Sequence, residues 1–254
     1  MSTWRVHWIE CPCGARFAAS LADGVHVDAA PAVREQVLAG ALHRAVCPGC
    51  GRAGTIDAEF IYADFARREW IVVAPPAEVG AWRRWAELTA RLFDAHVTQA
   101  AVPEVRAAAA AFRVRTVFGV DALAERLRAF EARLDDRLIE TLKLSLWRAG
   151  PTLSPGRRVR LVEVDRAAFV LRFAIDTPGA PTAVPLAVSL SLGAYAEAEV
   201  EAERLEHELP AFFAVPCGGY DVHFAAALAR PWTAAPRLMI KGPVKAGGAE
   251  VRLA

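Results

Sequence analysis

Residues 11–14 read Cys11-Pro12-Cys13-Gly14 and residues 47–51 read Cys47-Pro48-Gly49-Cys50-Gly51, so four of the five cysteines fall in two tight pairs. Four thiolates can surround one ion tetrahedrally, at metal–sulfur distances of about 2.3 Å, when they arrive as two short-spaced pairs on two tight turns. The second pair has the form of a knuckle. Pro48 fixes φ on one side, and Gly49 and Gly51 let backbone amides turn toward the sulfurs. The first pair is one residue tighter, which still permits joint chelation on a more strained loop. The spacing predicts one structural Zn2+ held by Cys11, Cys13, Cys47 and Cys50. A single iron satisfies the same cage.

Other uses of paired cysteines fit less well. Disulfides belong to oxidising compartments, and the opening Met1-Ser2-Thr3-Trp4-Arg5-Val6-His7-Trp8 has no apolar stretch of the kind that exports a chain. A redox Cys-x-x-Cys opens a helix after a strand, whereas Cys50 is followed by Gly51-Arg52-Ala53-Gly54, a poor helix start. His7 and His43 stand close enough in sequence to replace a ligand, but each reads better as a surface or strand imidazole.

The segments outside the cysteines read as an α+β chain in three parts: a β-rich, zinc-ribbon-like module over 1–75, a helical segment over 76–150 and a small α+β domain over 151–254. Arg5 to Glu10 leads into the first pair and Arg16 to Ser20 leaves it. Phe60–Tyr62 and Glu69–Ala74 form a hairpin across Asp64–Arg67. Pro75-Pro76 marks a boundary, and Ala77 to His96 follows with helical spacing of Trp82, Trp85, Leu88, Leu92 and Phe93. Pro103 opens a short helix. After Gly119 and the N-cap candidate Asp121, Leu123, Leu127, Phe130, Leu134, Leu138, Leu142 and Leu146 recur at intervals of three and four, predicting one long amphipathic helix. Its stripe reads as core, or alternatively as a homodimer seam. Glu125 with Arg128 and Glu140 with Lys143 read as surface pairs. From Arg157 the period becomes two, predicting an antiparallel sheet with one wet face over Val159–Val164, Ala168–Ile175 and Val184–Leu192. A helix over Tyr195–Leu209 follows, with an edge strand or tail over Lys241–Ala254. Residues Phe212 to Trp232 have no clear period.

The stretch from Trp8 to Trp70 resembles the CpXC family of bacterial and archaeal proteins. The matching residues are Cys11-Pro12-Cys13-Gly14 with Phe17, Val25-His26-Val27-Asp28, the helical Pro31 to Gly40, Cys47-Pro48-Gly49-Cys50-Gly51, Phe60-Ile61-Tyr62-Ala63-Asp64 and Arg67-Arg68-Glu69-Trp70. Arg113 to Gly119 and Leu134 to Glu140 resemble the continuation found in longer members, so the likeness covers roughly the first 150 residues. It implies metal binding through the cysteines and brings no activity.

Composition narrows the function classes. Thirty basic against 29 acidic side chains leave a net charge of +1, without the basic excess usual in nucleic-acid binders. No apolar run approaches the roughly 18 residues that span a bilayer, and the reading is a cytoplasmic bacterial protein. Nucleophile-elbow, zinc-protease, Walker and dinucleotide fingerprints are missing. Cys217, with His207 or His223 as base, is the candidate nucleophile, although a lone cysteine more often serves as a small hydrophobe. The glutamates Glu197, Glu199, Glu201, Glu203, Glu206 and Glu208 form an acidic helix that reads as a solvated face or a surface for a basic partner. Glu203 and His207 lie one turn apart, a weak match to di-metal bundles. Arg83-Arg84, Arg113-Arg115 and Arg157-Arg158-Arg160 are candidate phosphate contacts. The expectation is a zinc-binding adaptor for another protein. The alternatives are an enzyme with its site at the junction of the modules and a nucleic-acid-binding ribbon.

Overall fold

The tight Cys11–Gly14 turn joins two antiparallel strands, β1 (Thr3–Glu10) and β2 (Arg16–His26), whose register closes with Glu10 opposite Arg16. Helix α1 (Ala32–Leu38) follows, and then a two-stranded hairpin, β3 (Arg44–Val46) and β4 (Ala53–Thr55), carries the second cysteine pair at its tip. Next come β5 (Phe60–Asp64), β6 (Glu69–Ala74), α2 (Trp82–Phe93), α3 (Pro103–Ala107), β7 (Arg113–Phe118), α4 (Val120–Glu131) and α5 (Asp136–Ala149). The remaining elements are β8 (Arg158–Asp165), β9 (Val170–Asp176), β10 (Leu186–Ser191), α6 (Leu192–Val200), α7 (Ala202–Glu208), β11 (Val215–Cys217), β12 (Tyr220–Phe224), β13 (Val244–Ala246) and β14 (Ala249–Val251). The structure is a computed structural model that describes residues 2–149, 158–176, 186–210, 213, 215–224, 244–246 and 249–251.

Two compact units divide the chain, residues 1–124 with 215–224 and residues 125–214 with 225–254, and the boundary falls inside α4. The first unit is built on a mixed seven-stranded sheet in the order β1-β2-β5-β6-β7-β12-β11. β7 enters beside β6 in parallel, and β12 adds in parallel to the far side of β7, with Val222 opposite Val114. Both joins escaped the sequence reading. The hairpin of β5 and β6 agrees with it, Phe60 standing opposite Val73.

On one face of this sheet α2 buries Trp85, Ala86, Thr89, Ala90 and Phe93. Of these, Ala86, Ala90 and Phe93 pack with Ala63, Trp70, Val97, Val114 and Val222. Each large apolar side chain so buried contributes about 1.5–3 kcal/mol before entropy is subtracted. The predicted stripe is therefore rotated: Trp85 and Phe93 are inside, while Leu88 and Leu92 are only half-buried. The reason is that small Ala86 and Ala90 let the helix sit close to the sheet, and Thr89 meets Thr116 of β7 hydroxyl to hydroxyl at 2.8 Å. Helix α2 starts at Trp82, after a 3-10 turn over Pro76–Ala81, and ends in a π-helical turn at Asp94–Thr98.

The apolar repeat from Leu123 to Leu146 belongs to two helices instead of one long helix. After α4 the backbone enters a left-handed conformation at Arg133, with φ of 56°. Leu134 N–H bonds to the Ala129 carbonyl at 2.9 Å, and Arg133 N–H bonds to that of Phe130 at 3.0 Å. This is a Schellman cap. Asp135 then caps α5 by accepting the Arg137 N–H at 2.8 Å. The leucines of both helices are buried inside the fold.

Of the pairs read as surface charges, Glu140 with Lys143 is internal, and Glu125 is buried while Arg128 is half-buried. Glu125, Arg126, Asp136, Glu140 and Lys143 are all at most 3% exposed. Lys143 Nζ donates to both oxygens of Glu125 at 3.0 Å and stands 2.7 Å from Glu140. Arg126 bonds Glu140 at 2.5 Å. Glu125 also accepts the Leu161 N–H at 2.7 Å, which ties α4 to β8. The i,i+3 spacing of Glu140 and Lys143 is silent about burial, and a lysine and a glutamate enter a core only as partners.

The second sheet is antiparallel throughout, in the order β14-β13-β10-β9-β8. Val159, Leu161, Leu171, Phe173, Ile175, Val188 and Leu190 are buried, while Glu163 is exposed. A register shift between Leu161 and Glu163 explains why the apolar spacing runs 159, 161, 164. The acidic helix read over Tyr195–Leu209 is two short helices, α6 and α7, with Glu201 between them. β13 and β14 pair antiparallel at the sheet edge. Part of the interval without a clear period, 215–224, is the hairpin of β11 and β12, and the rest of it lies mostly outside the described residues.

Candidate metal centre

Each cysteine pair sits at the tip of a hairpin, where backbone bonds pin the turn. In the first, Gly14 N–H bonds the Cys11 carbonyl at 2.8 Å and Cys11 N–H bonds Ala15 at 2.9 Å. In the second, Gly51 N–H bonds the Cys47 carbonyl and Cys47 N–H bonds Arg52, both at 2.9 Å. Gly51 takes φ of +68°, a conformation glycine adopts without steric cost. Gly49 has a different role, because a Cβ there would lie 2.9 Å from the Cβ of Ala15. The two turns touch at that point, and a larger residue would hold them apart.

This contact brings the four sulfurs together. All four Sγ atoms lie within 4.8 Å of one another, with Cys11 to Cys50 and Cys13 to Cys47 both at 3.7 Å. A regular tetrahedron with bonds of about 2.3 Å has edges of about 3.8 Å, so the spacing fits one four-coordinate ion. Cys47 is buried, Cys11 half-buried, and Cys13 and Cys50 are exposed. Burial opposes ionisation of Cys47, but the amides of Cys50 and Gly49 and the thiols of Cys11 and Cys13 outweigh it and bring this thiol down to about 7. The Cys13 amide favours the Cys11 thiolate, yet the neighbouring thiols and burial win, and Cys11 is pushed up to about 12. Without a cation the Cys47 thiol is thus the readier of the two to ionise and that of Cys11 the more reluctant. A divalent ion would supply the charge that lets all four ionise.

Packing gives a second reason for a metal. From Arg44 to Thr55, Cys47 is the one buried residue. The hairpin of β3 and β4 has no apolar core of its own, and such hairpins are marginal in water.

The other candidates fall elsewhere. His43 is 5% exposed and not the surface or strand imidazole that its position suggested. It has φ of 57°, its Nε2 accepts the Ala22 N–H at 3.0 Å, and its ring meets Phe60 edge-on at 4.9 Å. His7 stays on β1, 3.9 Å from Asp23. Cys217 is half-buried in β11, and burial, with Glu87 nearby, pushes its thiol up, the opposite of an activated nucleophile. Among the described residues the cysteines are the one group of three or more His, Cys, Asp or Glu ligands close enough to share an ion, so Glu203, His207 and the other acids of α6 and α7 do not form one. Arg113 bonds Glu69 and Arg115 is 8% exposed, so this basic pair serves the interior. Arg83 lies over the Trp82 ring at 4.5 Å. No described helix is long and apolar enough to cross a membrane.

Sequence reasoning passed over two features beside the cysteines. One is the Ala15–Gly49 contact, for which the small residue after the first pair was the available signal. The other is a row of exposed apolar side chains on β1, Trp4, Val6 and Trp8, which the alternation Trp-x-Val-x-Trp announces.

No curated protein and no solved structure matches the chain. Residues 9–143 match the family described as CpXC protein. That interval takes in both cysteine pairs and more than half of the sequence, and the chain belongs to the CpXC family.

Proposed function

We propose that this chain is a zinc-binding adaptor, in which one structural Zn2+ held by Cys11, Cys13, Cys47 and Cys50 fixes a surface that receives another protein. The observation that carries the reading is the convergence of four sulfurs at tetrahedral spacing on a hairpin with no other buried residue. Zinc suits this all-sulfur set, being bound by thiolates in tetrahedral structural sites. Thiolates at such a site persist in a reducing compartment, which supports a cytoplasmic setting. The partner role draws on the apolar row of β1, where Val6 is 70% and Trp8 67% exposed. Large apolar groups contiguous on a surface mark interaction sites.

Elemental analysis of the purified chain tests the first half: one zinc per chain is expected, and a metal-free, normally folded protein would refute it. Iron in its place would keep the cage and change the ion. Capture of the tagged chain from its host's lysate, compared with a variant carrying Val6→Ser and Trp8→Ser, tests the second half. A protein retained through a salt wash supports the adaptor, and an empty eluate argues against it.

A further inference from the structure

Over most of its length strand β2 is paired along one side only. β1 covers it from Arg16 to Gly24, whereas on the other side β5 reaches only Gly24, Val25 and His26. Among the described residues no strand adjoins that second edge from Arg16 to Ala22. Facing the open edge across a cavity of about 500 Å³ is β3, whose Arg44, Ala45 and Val46 line the space while no residue of β4 does. The unpaired edge of β2 and the residues of β3 therefore border one space.

One contact bounds the gap at each end, and between them the space is open to solvent. At one end the Ala22 N–H donates to Nε2 of His43, so an imidazole takes the place of a neighbouring strand's carbonyl. At the other end Ala15 packs on Gly49 beside the four cysteines. Backbone groups of alternate residues in an antiparallel strand point the same way. The direction of the Ala22 N–H thus places the N–H and C=O of Ser20 and Ala18 on the gap as well.

We infer that the gap is a strand-addition site, in which an extended segment of a partner protein enters between β2 and β3 and bonds its backbone to Ala18 and Ser20. This deepens the adaptor reading above and rests on it. The side chains define the segment. Trp4, Val6 and Trp8 stand directly opposite Ala22, Ser20 and Ala18, on the same face of the sheet. Small residues on β2 leave a trench between the tryptophan row and an incoming strand. A segment with large apolar residues at every second position fills that trench. Because β3 hangs on Cys47 and Cys50, the second wall of the gap depends on the metal.

The test pans a phage library of random peptides, each long enough for one strand, against the zinc-loaded full chain, and then follows amide hydrogen exchange with the enriched peptides bound. Peptides with alternate apolar residues are expected, with slowed exchange at Ala18 and Ser20 and loss of binding on chelation. Ala18→Pro removes an N–H that faces the gap and not the β1 ladder, a position that tolerates proline, and it should weaken binding about fivefold. The exchange measurement on the unaltered chain stands whether or not that variant folds. Failure to enrich any peptide, or enriched peptides that leave Ala18 and Ser20 unprotected, overturns the site. A lysate partner that binds without protecting these amides likewise removes the strand site but leaves the adaptor reading intact.

Discussion

The guanidinium of Arg34 on α1 lies 3.1 Å from the carboxylate of Glu69 on β6, and both side chains are buried. The same group donates to the Tyr62 hydroxyl at 2.9 Å, while Arg113 holds the other oxygen of Glu69 at 3.2 Å. Burial pushes the Glu69 carboxyl up, against the pull of the two arginines. Because α1 lies in the insert between the cysteine pairs, this contact fastens the insert to the sheet.

Arg34→Met should therefore destabilise the first unit by about 3 kcal/mol, the cost of leaving one member of a buried ion pair behind. Denaturant titration checks the magnitude. Adding Glu69→Gln to that variant should recover part of the loss, because the buried carboxylate left with Arg113 is gone.

Chelation should release the hairpin of β3 and β4 while leaving the second sheet folded. Structural zinc supplies on the order of 10 kcal/mol to small modules, and nothing else buried holds residues 44–55 except Cys47. Limited proteolysis reads this directly, with cleavage expected after Arg44 or Arg52 only once metal is removed. Cys47→Ser should show the same pattern without a chelator.

His43 should give the first unit a pH dependence. Burial lowers its pKa from the usual 6.5, with His7 adding to the effect and Asp23 opposing it. The unfolded chain then binds a proton more readily than the folded one. Stability is complete above about pH 6.5 and falls as the pH drops below that value toward the depressed folded one. His43→Gln keeps an acceptor for Ala22 and should flatten the slope between pH 6.5 and 5, measured by urea midpoint with zinc in excess.

Lys143 should be among the most sensitive positions of the second unit. Lys143→Met leaves Glu125, Asp136 and Glu140 with Arg126 as the remaining cation of that buried cluster, and about 3–5 kcal/mol should be lost. The double variant Lys143→Met with Glu125→Gln should be more stable than the single one. Thermal unfolding of both settles the order.

The local features were legible and the distant ones were not. Paired cysteines, the hairpin of β5 and β6, and the alternation in β8 to β10 are encoded within short windows, where spacing and turn chemistry suffice. The Schellman cap after α4 hid because Arg133, not glycine, takes the left-handed position, so the leucine repeat runs through the break without interruption. The neighbouring Asp135-Asp136 was the signal available for it. β7 is six residues long, buried on both faces and set after an alanine run, which gives it no alternation to read. β12 pairs with β7 across about a hundred residues, and no local pattern specifies such a partner.

That last pairing sets an order of events during synthesis. The sheet that carries the cysteine hairpins lacks its final two strands until residue 224 has left the ribosome. Until then the side of β7 that later receives β12 is bare, and the intervening residues of the second unit are already available to fold. The nascent chain must protect an open edge while about a hundred further residues are made, a long window in which a chaperone or a wrong neighbour competes for β7.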